Sequence, residues 1–431
     1  MVIDKKFNIK FQNDNLGYLD AFGLEENHII SPYDGLILPD NPPQITHIIG
    51  ESGSGKSQLC NFLLEAWGFC RVWEPTENYK YVPCCEMTGN TKEQIDNCIY
   101  YLNCVGLSDA RLYYTTFSGL SDSQKFRASI AYTLITYPDV KGFIIDEFLS
   151  TLDRDTAKSI AYLIQKLVRQ KNIKVVLSTA HNDLVEYLKP DLLVKGHAFP
   201  ERFEVIDTSK TPLKPIGYNI RKCNKEEYKE SRLGELHYKG KYTGGTKEFF
   251  VAKLNDSWRE IGFLVSVSVG KDIEKKRRIA RVVIHPSYRG IGIGTELVKE
   301  YLKYCKENGI KKVSAVSALG RFNPFFEKAG MIRQNDYIVS PSDIFYKRLT
   351  LSGFNTTLWF SKDYCVTACK NQIVRDVVLT KIDSAARILN PGGKKLTLKE
   401  LKAMIGSDET QSGRFLWTLR PRILSKYKID F

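Results

Sequence analysis

Two short segments of the sequence combine glycines with a cation in a pattern suited to binding phosphates. The first is GESGSGKS at residues 50–57, which fits the spacing GxxxxGK[ST]. Its glycines let successive backbone N–H groups face an anion, its lysine can reach the outer phosphates of a nucleotide, and its last hydroxyl can hold Mg²⁺. The candidate nucleotide-binding residues are Gly50, Ser52, Gly53, Gly55, Lys56 and Ser57.

Two adjacent carboxylates supply the acids that such a loop needs. The apolar run DVKGFIIDEF ends in Asp146 and Glu147. We expect Asp146 to bind the nucleotide and to share the metal with Ser57, while Glu147 polarises the attacking water. An apolar strand that ends in two acids is common, and its position downstream of the phosphate loop makes it informative.

The second segment is RGIGIG at residues 289–294, with Arg289, Gly290, Gly292 and Gly294. Small residues at a helix N-terminus let backbone amides approach two phosphates, which indicates a pyrophosphate ligand. A dinucleotide-binding GxGxxG loop is the competing interpretation. The spacing here is GxGxG, and no acidic ribose-binding residue follows a second parallel strand, so we disfavour it.

Both segments lie between a strand pattern and a helix pattern. β-Branched residues in QITHIIG precede the phosphate loop, and the apolar strand RIARVVIH precedes the second loop. A long helix follows each loop; in the second helix Leu297, Val298, Leu302 and Cys305 form an apolar face. The fold class we predict is α/β, with a P-loop ATPase domain, then an α+β domain, then a small helical module.

Residues 1–200 resemble the ABC-type ATPases through three further motifs. Ser121 lies in LSDSQ, where the family has LSGGQ; LSTLD at 149–153 resembles the D-loop; and His181 follows a buried strand, like the family's H-switch. The sequence around LSDSQ is similar to that of soluble ABC-type ATPases of the DNA-repair type. The resemblance implies that His181 senses the γ-phosphate. It also implies that ATP lies between Lys56 of one copy and Ser121 of another, hence a homodimer.

Two features depart from that family. The stretch between the phosphate loop and LSDSQ is short and has no clear Q-loop glutamine, so Glu86 is the only candidate there. Upstream, Tyr33 is a candidate for stacking on adenine.

Residues 215–362 resemble the GNAT acyltransferases. RGIGIG matches their RxxGxG loop, and NPFFEKAGM is similar to their FYEKxGF sequence. The resemblance implies acetyl-CoA, or a related acyl-CoA, as cofactor, with Asn323 as a further binding residue. Phe326 stands where many members have the tyrosine that protonates the departing thiolate, and phenylalanine cannot donate a proton.

Candidates for proton transfer occur in GELHYKGKYTGG at residues 234–245. His237 could accept a proton from an amine and Tyr238 could donate one, with Glu235 beside them. An ordinary surface loop explains the same residues equally well. A short similarity of the HYxG segment and NPFFEKAGM to acyltransferase-like proteins that modify DNA bases or RNA favours the catalytic interpretation.

The charge is divided unevenly along the 431 residues. Residues 1–200 are net −5 and the remainder is net +19. A basic excess in one part favours a phosphate-rich partner such as nucleic acid, although a generally basic proteome would give the same bias. Aromatic and basic residues in RFLWTLRPRILSKYKIDF fit either a nucleic-acid surface or a solvated tail.

The length predicts two or three domains. We expect an ATPase domain at 1–205, a linker at 206–214, a GNAT domain at 215–365 and a helical basic module at 366–431, with a second helix of that module starting at Thr397. Ten scattered cysteines without CxxC pairs, and the lack of a signal peptide or membrane-length apolar run, predict a cytoplasmic protein.

The leading hypothesis is an acyltransferase that modifies a nucleobase amine under the control of an ATPase dimer. Its cofactors would be ATP, Mg²⁺ and acetyl-CoA. One alternative is a protein or small-molecule N-acetyltransferase with a regulatory ATPase. Another is an ATP-driven nucleic-acid clamp with a degenerate GNAT domain.

Overall fold

The computed structural model describes residues 1–3, 7–10, 27–30, 33, 35–197, 203–208, 210–237, 246–257, 259–269, 275–334, 337–339, 343–359, 362–381, 398–406, 408–419 and 422–431. Tyr238 and Thr397 lie outside these ranges. Near the start of the chain, β1 (Val2–Ile3) pairs with β4 (Leu36–Ile37), and β2 (Phe7–Lys10) pairs with β3 (Asn27–Ile30), both antiparallel.

A six-stranded sheet forms the centre of the first domain. Its strands are β5 (Ile45–Gly50), β6 (Cys70–Arg71), β7 (Gly142–Ile145), β8 (Lys174–Thr179), β9 (Leu192–Gly196) and β10 (Glu204–Ile206). Their spatial order is β10-β9-β5-β8-β7-β6, and only the β9–β10 contact is antiparallel. The central strands are almost wholly buried, as expected for a parallel sheet covered on both faces.

Helices cover this sheet. They are α1 (Lys56–Trp67), α2 (Lys92–Cys104), α3 (Ala110–Tyr113), α4 (Asp122–Thr136), α5 (Arg154–Lys171) and α6 (Val185–Leu188). Helix α5 has a strongly amphipathic sequence, begins at the N-cap Asp153 and ends at Asn172 in the left-handed conformation. Short 3₁₀ helices occupy Glu77–Tyr79, Cys84–Glu86 and Phe117–Gly119.

The second domain is built on an eight-stranded sheet. Its strands are β11 (Tyr218–Cys223), β12 (Thr246–Leu254), β13 (Glu260–Ser268), β14 (Lys276–Ile284), β15 (Lys312–Ser317), β16 (Ile332–Arg333), β17 (Tyr337–Val339) and β18 (Arg422–Asp430). The order is β11-β12-β13-β14-β15-β18-β16, with β17 also paired to β18. The contact between β14 and β15 is parallel and the others are antiparallel.

The helices of this domain are α7 (Lys225–Glu230), α8 (Ile293–Glu307) and α9 (Phe325–Lys328), with 3₁₀ helices at Leu233–Leu236 and Pro286–Tyr288. The apolar face of α8 buries Leu297, Val298 and Leu302 in the domain core, as the sequence predicts. The expected order of an α/β P-loop domain, an α+β domain and a helical module is confirmed.

The helical module has a core of its own. Its helices are α10 (Asp343–Leu351), α11 (Lys362–Ala368), α12 (Gln372–Leu379), α13 (Leu398–Gly406) and α14 (Glu409–Thr418), with a 3₁₀ helix at Thr356–Leu358. They pack around Trp359, which is fully buried and donates its indole N–H to the Leu416 carbonyl at 2.8 Å.

Both ends of this module differ from the bounds of 366–431 that we predicted. The helices begin at Asp343 rather than after residue 365, and residues 422–430 leave the module to become β18, between β15 and β16. The alternation that buries Ser425 and Tyr427 in this strand is a sheet pattern. The module is therefore an insertion before the last strand of the second sheet.

The two domains are in direct contact. Ile216, Leu319 and Phe322 of the second domain pack against the core of the first. The guanidinium of Arg321 pairs with the carboxylate of Asp96 at 2.6 Å. The start of the expected linker also lies against the first domain, since Thr208 donates its hydroxyl proton to the Pro190 carbonyl at 2.8 Å.

Within the described part of the chain, none of the helices has the length and apolar character required to cross a bilayer. The same described residues contain no cluster of three or more His, Cys, Asp or Glu that could hold a metal ion. All ten cysteines are free thiols.

Candidate functional site

The phosphate loop connects β5 to α1. Gly53 and Gly55 have φ angles of 81° and 96°, which favour glycine. A Cβ at Gly50 would lie 2.3 Å from the Gly196 carbonyl oxygen, so only glycine fits there. Lys56 is 5% exposed and its ammonium donates to the Glu51 carbonyl at 2.7 Å. The side chain of Lys56 thus folds back onto the phosphate loop, at the positively charged N-terminus of α1.

Oxygen ligands for a metal converge beside this loop. Asp146 follows β7 and accepts a hydrogen bond from the Ser178 hydroxyl at 2.7 Å. Burial alone would raise the pKa of Asp146, but hydrogen bonds from Ser178, Ser57 and the Glu147 amide hold it below its usual value. A charged carboxylate next to the Ser57 hydroxyl is the donor set that Mg²⁺ prefers, so these two residues fit the ion.

Glu147 and His181 extend the same edge of the sheet. Glu147 is exposed and has a φ of 52°, an uncommon conformation that directs the chain away from β7. His181 lies two residues beyond β8, whose last residue Thr179 is in register with Ile49 just before the loop. Because β5, β7 and β8 are parallel neighbours, their carboxyl ends bring the loop, the acids and the histidine together.

Ser121 is the N-cap of α4 and is exposed; its backbone N–H donates to the Gln124 side chain at 3.0 Å. An exposed helix N-terminus can meet a phosphate on another molecule, and the role across two copies stays a prediction. Glu86 ends the 3₁₀ helix Cys84–Glu86 and is half-buried. Its role as a replacement for the Q-loop glutamine also stays a prediction.

Tyr33 does not have the position expected for adenine stacking. The residue is fully buried, its hydroxyl donates to the Gly55 carbonyl at 2.7 Å, and its ring packs against Phe203 at 5.1 Å. Burial raises its pKa. Tyr33 therefore supports the phosphate loop through its hydrogen bond to Gly55.

A second cavity opens in the second domain, where two strands separate. β14 and β15 pair only from Lys276 opposite Lys312 to Ile279 opposite Ala315. On its other side β15 pairs with β18 from Lys312 to Ser317, and a cavity of about 210 Å³ forms where β14 and β15 diverge. A bulge accompanies the separation: Val265 and Ser266 of β13 face Arg281 and Ile279, which leaves Ala280 unmatched at the cavity wall.

The glycine loop closes one end of this cavity. Gly290 and Gly292 have φ angles of 86° and 115°, and Gly292 is the N-cap of α8. Gly292, Gly294 and the first residues of α8 line the cavity wall. The N-terminus of a 15-residue helix thus points into the space, as an anion site requires.

Arg289 lines the cavity, and protein groups occupy its guanidinium. Its guanidinium donates to the Asp109 carboxylate at 3.2 Å and to the Ile284 carbonyl at 3.0 Å, and only 8% of the side chain is exposed. Burial lowers its pKa, and the charge of Asp109 opposes that shift. Arg289 and Asp109 both line the cavity, and their ion pair joins the two domains.

The cavity carries an excess of positive charge. Lys166 and Arg281 line it together with Lys328, and Asp109 is the only carboxylate among the described lining residues. Lys166 comes from α5 of the first domain, and its ammonium lies 3.5 Å from the Gly290 carbonyl. The wall of the cavity therefore includes residues from both domains.

The residues proposed for proton transfer separate into two groups. His237 and Asn323 line the cavity, and so does Phe326, whose ring packs against that of Tyr427 in a tilted arrangement with the centroids 5.0 Å apart. Glu235 points elsewhere, since it is exposed and pairs with Arg232 at 3.0 Å. That ion pair lowers the pKa of Glu235, and Tyr238 lies outside the described residues.

Sequence reasoning missed Asp109 and Lys166, two residues of the first domain that contact the second domain. Thr156, Ser159, Leu163 and Lys166 are spaced as one face of a helix. That spacing was a visible signal, yet nothing local indicated which surface the face would meet.

Comparisons with known proteins agree with this division. Residues 217–331 match the acetyltransferase (GNAT) family. The methionine import ATP-binding protein MetN of Helicobacter hepaticus is 28% identical over 274 residues, covering 51% of this chain and 75% of that protein. The lipoprotein-releasing system ATP-binding protein LolD of Ehrlichia ruminantium is 38% identical over 89 residues, which is 21% of this chain and 37% of that protein. These matches confirm the two resemblances.

Two solved structures are similar to separate parts of the chain. A dimeric ATP-binding cassette bound to ADP and phosphate has 17% identity and a TM-score of 0.34, covering 47% of this chain and 96% of the other. An IAA acetyltransferase from Bacillus cereus has 20% identity and a TM-score of 0.25, covering 30% of this chain and 85% of the other.

Proposed function

Since residues 217–331 match the acetyltransferase (GNAT) family and the preceding part of the chain matches ABC-type ATP-binding proteins, we propose an ATP-dependent N-acyltransferase that modifies a nucleobase amine. The observation that carries the acyl-CoA part is the cavity between β14 and β15, with the start of α8 at one end. ATP acts at the other domain, as an energy source or as a signal for assembly.

At the phosphate loop, backbone amides and Lys56 bind the β- and γ-phosphates, and Ser57 and Asp146 hold Mg²⁺. The metal, when bound, neutralises charge on the phosphates. Glu147 orients the attacking water, and its exposed position leaves room for that water. His181 at the end of β8 contacts the γ-phosphate, and Ser121 of a second copy completes the site.

In the second domain, the acceptor amine attacks the thioester carbonyl. A new C–N bond forms, the C–S bond breaks, and CoA leaves as a thiolate. The proton lost by the amine passes to a base, for which His237 at the cavity wall is the candidate. Phe326 cannot protonate the thiolate, so that proton comes from solvent or from another hydroxyl.

Charge supports nucleic acid as the acceptor. The helical module carries basic side chains exposed to solvent, and the chain from residue 201 onward has a strong basic excess. Phosphates of a nucleic acid would release counterions on binding such a surface. The exposed basic residues in the described part of the module include Lys347, Arg348, Lys370, Lys402 and Arg414.

The test uses the purified full chain with labelled acetyl-CoA, ATP and Mg²⁺, offered DNA, RNA and a protein mixture in parallel. We expect label in a nucleoside after digestion, identified by mass spectrometry. The control is Gly292→Asp, which places a carboxylate at the N-terminus of α8 and should abolish transfer. Label found only in protein would refute the nucleic-acid assignment and favour the protein N-acetyltransferase.

Dimerisation has its own test. With Glu147→Gln the chain should bind ATP without hydrolysing it, so gel filtration with ATP should give a dimer and gel filtration without ATP a monomer. Lys56→Ala should remain monomeric in both. A monomer for Glu147→Gln with ATP would contradict the shared ATP site.

One observation favours a second candidate function, in which the GNAT domain serves as a binding platform and transfers no acyl group. Phe326 is 4% exposed and packed on Tyr427, so its ring is a structural part of the wall. In that case ATP-driven clamping on nucleic acid would be the activity. Calorimetry with acetyl-CoA separates the two, because a domain that has lost the cofactor gives no binding heat.

A further inference from the structure

We propose that the acyl-CoA site is composite: Lys166, on helix α5 of the ATPase domain, binds the cofactor phosphates that the glycine loop of the second domain cradles. The inference rests on the proposed acyl-CoA binding and adds to it a phosphate ligand from the other domain.

The position of Lys166 is the first argument. Its ammonium lies 3.5 Å from the Gly290 carbonyl and 3.7 Å from where a Cβ at Gly292 would be. These glycines immediately precede α8, whose first backbone amides are the anion-binding groups of the cavity wall. An anion held by those amides would therefore lie within reach of a lysine side chain from the opposite wall.

The second argument is charge. Lys166 is half-buried and, among the described residues, forms no ion pair. Burial lowers its pKa, and the nearby cation Lys328, which also lines the cavity, lowers it further. In the described part of the chain no carboxylate is paired with Lys166 or Lys328, and two such like charges at one cavity favour a ligand with several negative charges. The phosphates of an acyl-CoA supply them.

The third argument is that α5 is fixed against the loop. Thr156 and Ser159, on the same face of α5 as Lys166, contact Ser287: the Thr156 and Ser287 hydroxyls are 3.2 Å apart, and the Ser159 hydroxyl donates to the Ser287 carbonyl at 2.8 Å. Leu163 packs so closely that a Cβ at Gly290 would lie 2.7 Å from it. Polar contacts and packing thus hold Lys166 at the cavity before any ligand arrives.

The experiment measures acetyl-CoA binding by calorimetry in the full chain for wild type, Lys166→Gln and Lys166→Arg. The matched control is Lys303→Gln, an exposed lysine on α8 that does not line the cavity. Loss of one charge-assisted contact predicts about tenfold weaker binding for Lys166→Gln. Lys166→Arg should retain most of the affinity, and Lys303→Gln should match wild type.

A second ligand distinguishes phosphate binding from a structural effect. S-Acetylpantetheine lacks the phosphates, so Lys166→Gln and wild type should bind it equally. The inference is overturned if Lys166→Gln binds acetyl-CoA within twofold of wild type, on the order of measurement error, or if it weakens both ligands alike. If wild type itself shows no acetyl-CoA binding, the proposed function fails, and the inference fails with it.

Discussion

The ion pair between Asp109 and Arg289 allows the sharpest prediction about how the domains are joined. Both side chains are buried, at 9% and 8% exposure, and the pair connects the glycine loop to the ATPase domain. Asp109 also accepts hydrogen bonds from the Arg111 backbone and side chain. Nearby, Arg127 is 2% exposed and its pKa is lowered to about 10 by burial and by Arg289.

Removing the charge of Asp109 and removing that of Arg289 should weaken domain docking to different extents, because the charged groups left without a partner differ. Asp109→Asn keeps the cap of α3 but leaves Arg289 and Arg111 without their carboxylate, and Arg289 is buried beside the cation Arg127. We therefore expect a cost of about 3–5 kcal/mol in domain docking. Arg289→Gln leaves Asp109 still paired with Arg111, so its cost should be only about 1–2 kcal/mol. The double variant removes both charges and should cost less than Asp109→Asn alone.

Hydrogen–deuterium exchange of peptides covering residues 286–291 and 156–166 reports this docking directly. The expected cost for Asp109→Asn corresponds to roughly a hundredfold or greater acceleration of exchange in both peptides. Asp96→Asn is the matched control. It breaks another ion pair between the domains, with Arg321, but that pair is more exposed and should cost less than about 1 kcal/mol.

Equal effects for Asp109→Asn and Arg289→Gln would refute this reasoning, because the asymmetry follows from two arginines, Arg111 and Arg289, that share one carboxylate. An effect of Asp109→Asn no larger than that of Asp96→Asn would show that burial of the pair contributes nothing to docking.

Three further predictions concern other parts of the molecule. His47 is fully buried, and burial lowers its pKa to about 3. Below about pH 6.5 the imidazole is protonated in the unfolded chain but stays neutral in the folded protein. The free energy of unfolding should therefore fall as the pH drops below 6.5, by about 2 kcal/mol at pH 5. His47→Leu should flatten that part of the curve in urea titrations, and an unchanged slope would contradict the assignment. Tyr33→Phe removes the hydrogen bond to Gly55 and should destabilise the first domain by about 1 kcal/mol; an unchanged melting temperature would show that this hydrogen bond does not stabilise the phosphate loop. Deleting residues 422–431 removes β18 from the second sheet and should abolish acetyl-CoA binding in calorimetry, whereas deleting Phe431 alone should not.

The sequence alone determined the two phosphate-binding loops, because their chemistry is contiguous. Glycines at fixed spacing, a following helix and a preceding apolar strand place backbone amides at a helix N-terminus whatever the rest of the fold does. The convergence of Asp146 and His181 on the phosphate loop was also predictable, since parallel strands carry their carboxyl ends to one edge. The division into an ATPase and a GNAT domain followed from the same motifs.

Only the tertiary structure decided what lies between these sites. Arg289 is 180 residues from its partner Asp109, and Lys166 is 124 residues from Gly290, so no local pattern relates them. The last strand was equally hidden, because a short basic and aromatic run fits a tail as well as the middle of a sheet until its neighbours are known. Motifs specify local backbone geometry, whereas the partner of a side chain depends on how separate elements pack. That packing places helix α5 of the first domain at the wall of the cavity between β14 and β15.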